Sequence, residues 1–173
     1  MLSSRKCLAA IPLLLCASAM AQLPAAPTLR QISARAGYIF SGTVIQVQRL
    51  APSQPNQVET MRITFRVEQG VRGVRSGQSL VIREWAALWN AGERYRAGEH
   101  VVLMLYPPSK LGLTSPVGGA MGRFAVDSAG QLQLPPPQAE LVEADSAAGP
   151  WLRTKGNTSG RDFARILGRV ARE

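Results

Sequence analysis

The chain has 173 residues and a formal net charge of +9, with 46% apolar residues, two cysteines and one histidine. That length and apolar content suit a single domain with a sizeable core. One histidine is too few for a His-rich metal site or for the paired ligands of the metalloprotease motifs, so the sequence excludes these classes of zinc site.

Residues 1–21 have the three parts of a secretory signal peptide. Two basic residues stand near the start, and residues 8–16 form an apolar run about half as long as a membrane-spanning helix. A small-x-small motif ends at Ala21, which predicts cleavage before Gln22. We therefore expect an exported protein, either periplasmic or extracellular.

Loss of this signal peptide would change the chemistry of the mature chain. Both cysteines, Cys7 and Cys16, lie within it, so the mature chain would have no disulfide and no thiol chemistry. Its formal net charge would fall from +9 by two, because Arg5 and Lys6 would also be lost. Lipid attachment at Cys16 is the less favoured alternative, because the residue before it, Leu15, is not small.

The N-terminal part of the mature chain predicts a lead-in and two long strands. Residues 22–36 begin rich in proline and alanine and end in one short predicted helix over 29–36. Residues 37–50 are rich in β-branched and aromatic side chains, which predicts a strand, and Gly42 inside it marks a bulge or bend. Residues 58–69 alternate apolar and polar side chains, as expected of an antiparallel strand with one face in water.

Four further strands complete a mostly β domain over residues 37–134. A strand over 79–85 follows a glycine-rich turn, and a nearly continuous apolar run over 99–106 predicts a buried strand that two prolines end. Short strands over 122–126 and 131–134 are separated by a turn and predict a terminal hairpin.

The C-terminal part predicts a linker followed by a helix. Residues 135–157 begin with three prolines and lack periodicity, which favours an extended linker or a loosely packed tail. In residues 158–173, apolar side chains recur at helical spacing from Phe163, opposite a face of arginines, and the pair Ser159 and Asp162 favours an N-cap. This composition also fits a membrane-surface helix, but so short a helix normally packs on its own domain.

Aromatic and arginine residues are concentrated between residues 83 and 98. Arginines beside aromatic rings suit a sugar ring, a peptide or a nucleic-acid base, so this segment is the predicted binding surface. The favoured interpretation of the two tryptophans themselves is that they share one face of a short helical turn and close the open end of a barrel as core, the usual place of large aromatics. The candidate ligand-binding residues are Trp85, Trp89, Tyr95, Arg83, Arg94 and Arg96.

Other side chains give weaker signals. Arg62 and Arg66 share a face and could extend a basic stripe, although such a pair is usually the wet side of a sheet. Glu84 and Glu93 stand beside the tryptophans, and we interpret them as solvated charges rather than the paired acids of a hydrolase. His100, at the start of a buried strand, is interpreted as an edge residue. No catalytic residue, metal ligand or cofactor is predicted.

Three local patterns resemble a known family: GYIFSGTV from Gly37, ITFRVE from Ile63, and YRAGE from Tyr95, which leads into the apolar strand. They resemble the OB-like barrel of netrin modules and tissue inhibitors of metalloproteinases, in the cysteine-free form of uncharacterised exported bacterial proteins. The resemblance implies a five- to six-stranded antiparallel barrel over roughly residues 29–127, with a short helical segment between strands 3 and 4. The zinc-binding N-terminal cysteine of the animal inhibitors has no counterpart, so no inhibitory residue is implied.

These observations predict an exported, non-enzymatic binding or interaction module for an unknown protein, peptide or glycan partner in the cell envelope. One alternative is an envelope-associated protein that its basic charge and C-terminal helix attach to an anionic membrane surface. The other alternative is an unrecognised hydrolase. Nucleic acid ranks last as a partner, because export separates the protein from most of it.

Overall fold

The computed structural model describes residues 27–55, 57–90, 94–155 and 158–172, and for 152–155 only the backbone. The predicted signal peptide, its cleavage site at Ala21 and Gln22, and Glu93 lie outside the described residues. The helices within this part of the chain are α1 (Leu29–Arg35), α2 (Pro136–Glu143), α3 (Ala148–Lys155) and α4 (Gly160–Val170). The strands are β1 (Tyr38–Leu50), β2 (Thr60–Arg72), β3 (Ser79–Trp85), β4 (His100–Leu105), β5 (Arg123–Val126) and β6 (Leu132–Gln133). Two 3₁₀ turns cover Ala86–Trp89 and Gly119–Gly122.

The strands form one antiparallel sheet in the order β3-β2-β1-β4-β5-β6, which confirms a mostly β fold. The sheet is not closed into a barrel, so the predicted closed barrel is wrong. Closure requires pairing between the first and last strands of the sheet. Here β3 pairs only with β2, and β6 contributes two residues that pair only with β5.

The predicted bend at Gly42 is confirmed. The register between β1 and β2 shifts between Ser41 and Gly42, as at a β-bulge. A Cβ atom at Gly42 would clash with the carbonyl oxygen of Arg66 on the paired strand, so the close approach of the two backbones requires glycine.

Apolar side chains pack on both faces of the sheet. On one face, a core cluster includes Phe40, Phe65 and Leu103, and Trp89 and Tyr95 belong to it. On the other face, a second cluster joins strand residues to the four helices; it includes Ile39, Met104, Phe124 and Phe163. Because alternate residues of β1 point to opposite faces, this strand contributes to both clusters.

The C-terminal helix packs on the sheet as expected. Its N-cap Ser159 accepts a hydrogen bond from the backbone N–H of Asp162 at 3.1 Å. The apolar residues Phe163, Ile166 and Leu167 are buried in the core. None of the helices in the described ranges is long and apolar enough to cross a membrane.

The region predicted as a linker or tail, 135–157, contains two helices instead. Its prolines occupy the start of α2, where a missing N–H costs no hydrogen bond, so they begin a helix rather than extend the chain. Leu141 and Val142 of α2 are buried against the second core cluster. The side chain of Gln138 donates to the carbonyl oxygens of Ala120 and Arg123, which attaches α2 to the sheet.

Candidate functional site

The aromatic and arginine segment is divided between the core and the surface. β3 ends at Trp85, whose backbone is still extended, and the 3₁₀ turn begins after it, so Trp85 and Trp89 do not share a helical face. Trp85 is 49% exposed, whereas Trp89 is 9% and Tyr95 2% exposed. Arg83 and Arg96 are exposed on the surface.

Trp89 and Tyr95 hydrogen-bond to a buried carboxylate, that of Glu84. The indole Nε1 of Trp89 donates to Oε2 of Glu84 at 3.1 Å, and the hydroxyl of Tyr95 donates to Oε1 at 3.3 Å. The partly buried guanidinium of Arg94 lies 3.6 Å from the same carboxylate. The interpretation of Glu84 as a solvated charge is therefore wrong, because residue 84 points with Leu80 and Ile82 to the inner face of β3.

Burial controls the ionisation of this cluster. Desolvation raises the pKa of Glu84, and the opposing charge of Arg94 and the two hydrogen bonds only partly offset it. Burial also raises the pKa of the Tyr95 hydroxyl well above its usual range, so this hydroxyl remains a donor. The guanidinium of Arg123 lies 5.4 Å from the centre of the Tyr95 ring and also pairs with Glu99. Because Glu84 and Tyr95 are enclosed, the cluster orients the segment after β3.

The outer faces of β2 and β3 remain on the surface. Val81, Arg83 and Trp85 alternate on the outward side of β3, and Arg62 and Arg66 lie on the same side of β2. The helices cover this side of the sheet elsewhere, but no residue of β3 belongs to the core cluster that they form. We call this surface, defined by these five residues, the arginine–tryptophan face.

Two arginines lie directly opposite each other on this face. In the antiparallel register, Arg62 pairs with Arg83. Like charges at directly opposed positions destabilise a sheet. In the described part of the chain, no ion pair with an acidic side chain involves Arg62, Arg66 or Arg83. Arg83 instead donates to the backbone carbonyl of Leu111 at 3.0 Å. The arrangement therefore concentrates positive charge at one place.

Exposed apolar side chains surround this pair of arginines. Val58 and Leu111, from the flanking loops, are exposed together with Val81 and Trp85 of the face, and Leu111 reaches 70% exposure. A groove of about 320 Å³ is lined by Leu50, Val58, Thr60, Arg83, Leu111 and Leu113, among others. Single exposed apolar residues need no explanation, but a group of them indicates an interaction surface. Sequence reasoning missed the two loop residues, which have no periodic pattern.

A second polar cluster lies around His100, which begins β4 between β1 and β5. The imidazole Nδ1 of His100 is 3.4 Å from a carboxylate oxygen of Glu68, which also accepts a hydrogen bond from Thr43 at 2.8 Å. Arg161 of α4 pairs with the other oxygen of Glu68 at 3.3 Å. Burial raises the pKa of Glu68, but the Thr43 and Arg161 hydrogen bonds and the nearby positive groups outweigh it and lower the pKa overall.

Neither cluster has the composition of a metal centre. Within the described ranges, no group of three or more His, Cys, Asp or Glu side chains could hold a metal ion. Comparisons of the chain with protein-family models, curated proteins and solved structures find no match.

Proposed function

We propose that this chain is an exported, non-enzymatic binding module that holds an acidic protein or peptide on the arginine–tryptophan face. The observation that supports the proposal best is the directly opposed pair of Arg62 and Arg83. Their repulsion lowers the stability of the unbound protein, and an anionic group bound between the two arginines would relieve this repulsion. Positive charge at this face would also attract an acidic partner over a distance, which raises the rate of association.

The chemistry of the surrounding residues favours a protein or peptide as the partner. Arginine and tryptophan are enriched at the energetically important positions of protein interfaces. Trp85 offers a large apolar ring next to the charges, and the groove beside Arg83 and Leu111 could receive an apolar side chain. A peptide that combines acidic and apolar residues would match both features.

The buried cluster of Glu84 supports this function indirectly. Trp89, which ends the 3₁₀ turn after Trp85, is fixed through its hydrogen bond to Glu84. Glu84 itself precedes Trp85 in β3. The backbone on either side of Trp85 is thus anchored in the core, and a preorganised side chain loses less entropy when it binds.

The membrane alternative has less support. It requires α4 to insert its apolar face into lipid, but Phe163, Ile166 and Leu167 pack in the core. Only the positive charge then remains as an argument for an anionic surface.

We also propose that the domain is an opened variant of the OB-like sheet of netrin modules. Its antiparallel strands, the bend at Gly42 and the 3₁₀ turn between β3 and β4 support this relationship. An experimental structure in which β1 lacks the bend would argue against it.

The binding proposal is tested with a matched pair of double variants. The probe is a synthetic peptide of repeated Glu-Glu-Leu triplets, and affinity is measured by calorimetry at low salt. Combining Arg62→Gln with Arg83→Gln should weaken binding by about tenfold, since each exposed ion pair contributes about 0.2–1 kcal/mol. The control combines Arg30→Gln with Arg169→Gln, two exposed arginines of α1 and α4, and makes the same change in net charge.

The control decides between a specific face and non-specific attraction. If both double variants lose affinity equally, the peptide responds to net charge alone and the proposed face is wrong. If the peptide does not bind but vesicles rich in phosphatidylglycerol do, the membrane alternative replaces the proposal.

A further inference from the structure

A polar groove of about 450 Å³ lies where the start of α4 meets β1 and β4. Glu68, His100 and Arg161 line it, together with the turn over residues 127–130. Its volume lies within the range of small-molecule sites in proteins. It is separate from the arginine–tryptophan face, because none of the five residues of that face lines it.

One buried hydroxyl at this groove has no hydrogen-bond partner in the described part of the chain. Ser41, which lines the groove, is 3% exposed, and its Oγ atom is unpaired. Ser41 points to the same side of β1 as Thr43, whose hydroxyl reaches Glu68 in the groove. Buried polar groups are almost always hydrogen-bonded in proteins, so unpaired ones indicate a bound polar molecule.

The charges of the groove are already compensated. Glu68 pairs with Arg161 and accepts from Thr43. Asp127 accepts hydrogen bonds from the backbone N–H groups of Ala129 and Gln131, both at 2.9 Å. A phosphate or carboxylate ligand would therefore meet two carboxylates and one cation that is already paired. A neutral ligand avoids this repulsion.

We propose that the groove binds a neutral, hydroxyl-rich ligand such as one sugar residue. Hydroxyl groups both donate and accept, so ring hydroxyls can pair with the ring of His100 and, once the side chain of Ser41 turns into the groove, with its hydroxyl. The hydroxyl of Ser159 accepts from the N–H of Asp162, and its hydrogen remains able to donate to the same ligand. The sugar could be free or the end of a glycan, and both sources present the same hydroxyl chemistry.

The test is a titration with N-acetylglucosamine, followed by NMR. His100 is the single histidine of the chain, so its ring signals report on the groove without ambiguity. We expect these signals and the amide signal of Arg161 to shift with saturation. A linear oligomer of the same sugar should bind more tightly if the source is a glycan and equally if it is a free sugar.

Two serine variants distinguish binding from structure. Ser41→Ala should weaken binding about three- to tenfold, the effect of one lost hydrogen bond. It should not lower the melting temperature, because this hydroxyl has no partner among the described residues and its burial unpaired is itself unfavourable. Ser33→Ala is the control: Ser33 is equally buried but contacts the sulfur of Met104 and does not line the groove, so its loss should leave affinity unchanged.

Three outcomes would overturn the proposal. They are no shift of the His100 signals with the sugar, equal losses of affinity in the two serine variants, and shifts caused by inorganic phosphate but not by the sugar. If Ser41→Ala fails to fold, His100→Gln, which replaces the imidazole that lines the groove, provides the comparison, with the amide signal of Arg161 as the readout.

Discussion

Replacement of Arg62 by glutamate should make the protein more stable and at the same time weaken its binding. Arg62 lies directly opposite Arg83 on the neighbouring strand, and both side chains are exposed. Glutamate at position 62 converts a repulsive cross-strand pair into an attractive one. If Arg62 were selected for stability alone, its replacement would not be expected to raise stability; if it were selected for binding, a gain in stability with a loss of binding is the expected result.

The size of the effect follows from the geometry of the pair. Opposite-charge pairs on neighbouring strands contribute about 0.2–1 kcal/mol, and directly opposed like charges cost a similar amount. Arg62→Glu removes the cost and adds the gain, so the free energy of unfolding should rise by about 0.4–2 kcal/mol. For a domain of this size, that corresponds to an increase in melting temperature of about 1–8 °C.

The assay is denaturant unfolding in a double-mutant cycle with Arg83→Gln. Arg62→Glu should stabilise the protein when Arg83 is present and have little effect when it is replaced, because the attraction then has no partner. High salt should reduce the gain, since both side chains are in solvent. The reasoning is refuted if Arg62→Glu destabilises the protein, or if its gain is the same in both backgrounds.

Three further predictions concern the core and the bend. Glu84→Ala should lower the free energy of unfolding, measured by chemical denaturation, by about 3 kcal/mol or more, since Trp89 and Tyr95 would each keep a buried donor without an acceptor. A loss below about 1 kcal/mol would contradict the geometry. Because the folded pKa of Glu84 is raised above its ordinary 4.5, its stabilising contribution is present at low pH and is lost as the pH rises through the folded pKa. Glu84→Gln should therefore gain stability relative to the unmodified protein as the pH rises above about 4.5, and a difference independent of pH would refute this. Gly42→Ala should lower the free energy of unfolding by about 1–3 kcal/mol, because its Cβ meets backbone of the paired strand. Gly160→Ala should lower it less, because the atoms nearest to its Cβ belong to the side chains of Val126 and Val102 rather than to backbone; equal losses in thermal unfolding would contradict that account.

β3 shows how much of a strand's structure can be predicted from its alternating sequence pattern. The strand over 79–85 is present as predicted, and its alternation already assigns residue 84 to the side of Leu80 and Ile82. The charge of Glu84 nevertheless favoured a solvated interpretation. Only the three-dimensional structure brings the donors of Trp89 and Tyr95, both later in the chain, to this carboxylate. The local pattern was sufficient to place the side chain, but its partners depended on tertiary contacts.

The C-terminal region shows the limits of local composition. Three consecutive prolines are typical of an extended linker, yet here they start α2. This helix has only a weak amphipathic pattern, and its stability comes from burial of Leu141 and Val142 against the sheet. In contrast, α4 has strong periodicity and a serine cap, and it was predicted from sequence within two residues at its N-terminus.

The arginine–tryptophan face could be predicted only in part. The alternation of β2 and β3 places Arg62, Arg83 and Trp85 on solvent-facing sides, but the direct opposition of two arginines depends on the register of the pairing. Exposure of this face depends in addition on which strands the helices cover, and Leu111, which lies beside the face, comes from a loop. Such long-range packing leaves no local signal in the sequence.

The most direct test of the proposed binding face is the response of the three tryptophan indole signals to the Glu-Glu-Leu peptide in an NMR titration. The chain has three tryptophans, of which Trp85 lies on the arginine–tryptophan face and Trp89 is hydrogen-bonded to Glu84 in the core. A Trp85→Phe variant assigns the signal of Trp85. Binding at the face predicts that this signal shifts with saturation while that of Trp89 remains in place. A peptide that binds without moving the Trp85 signal would contradict the account.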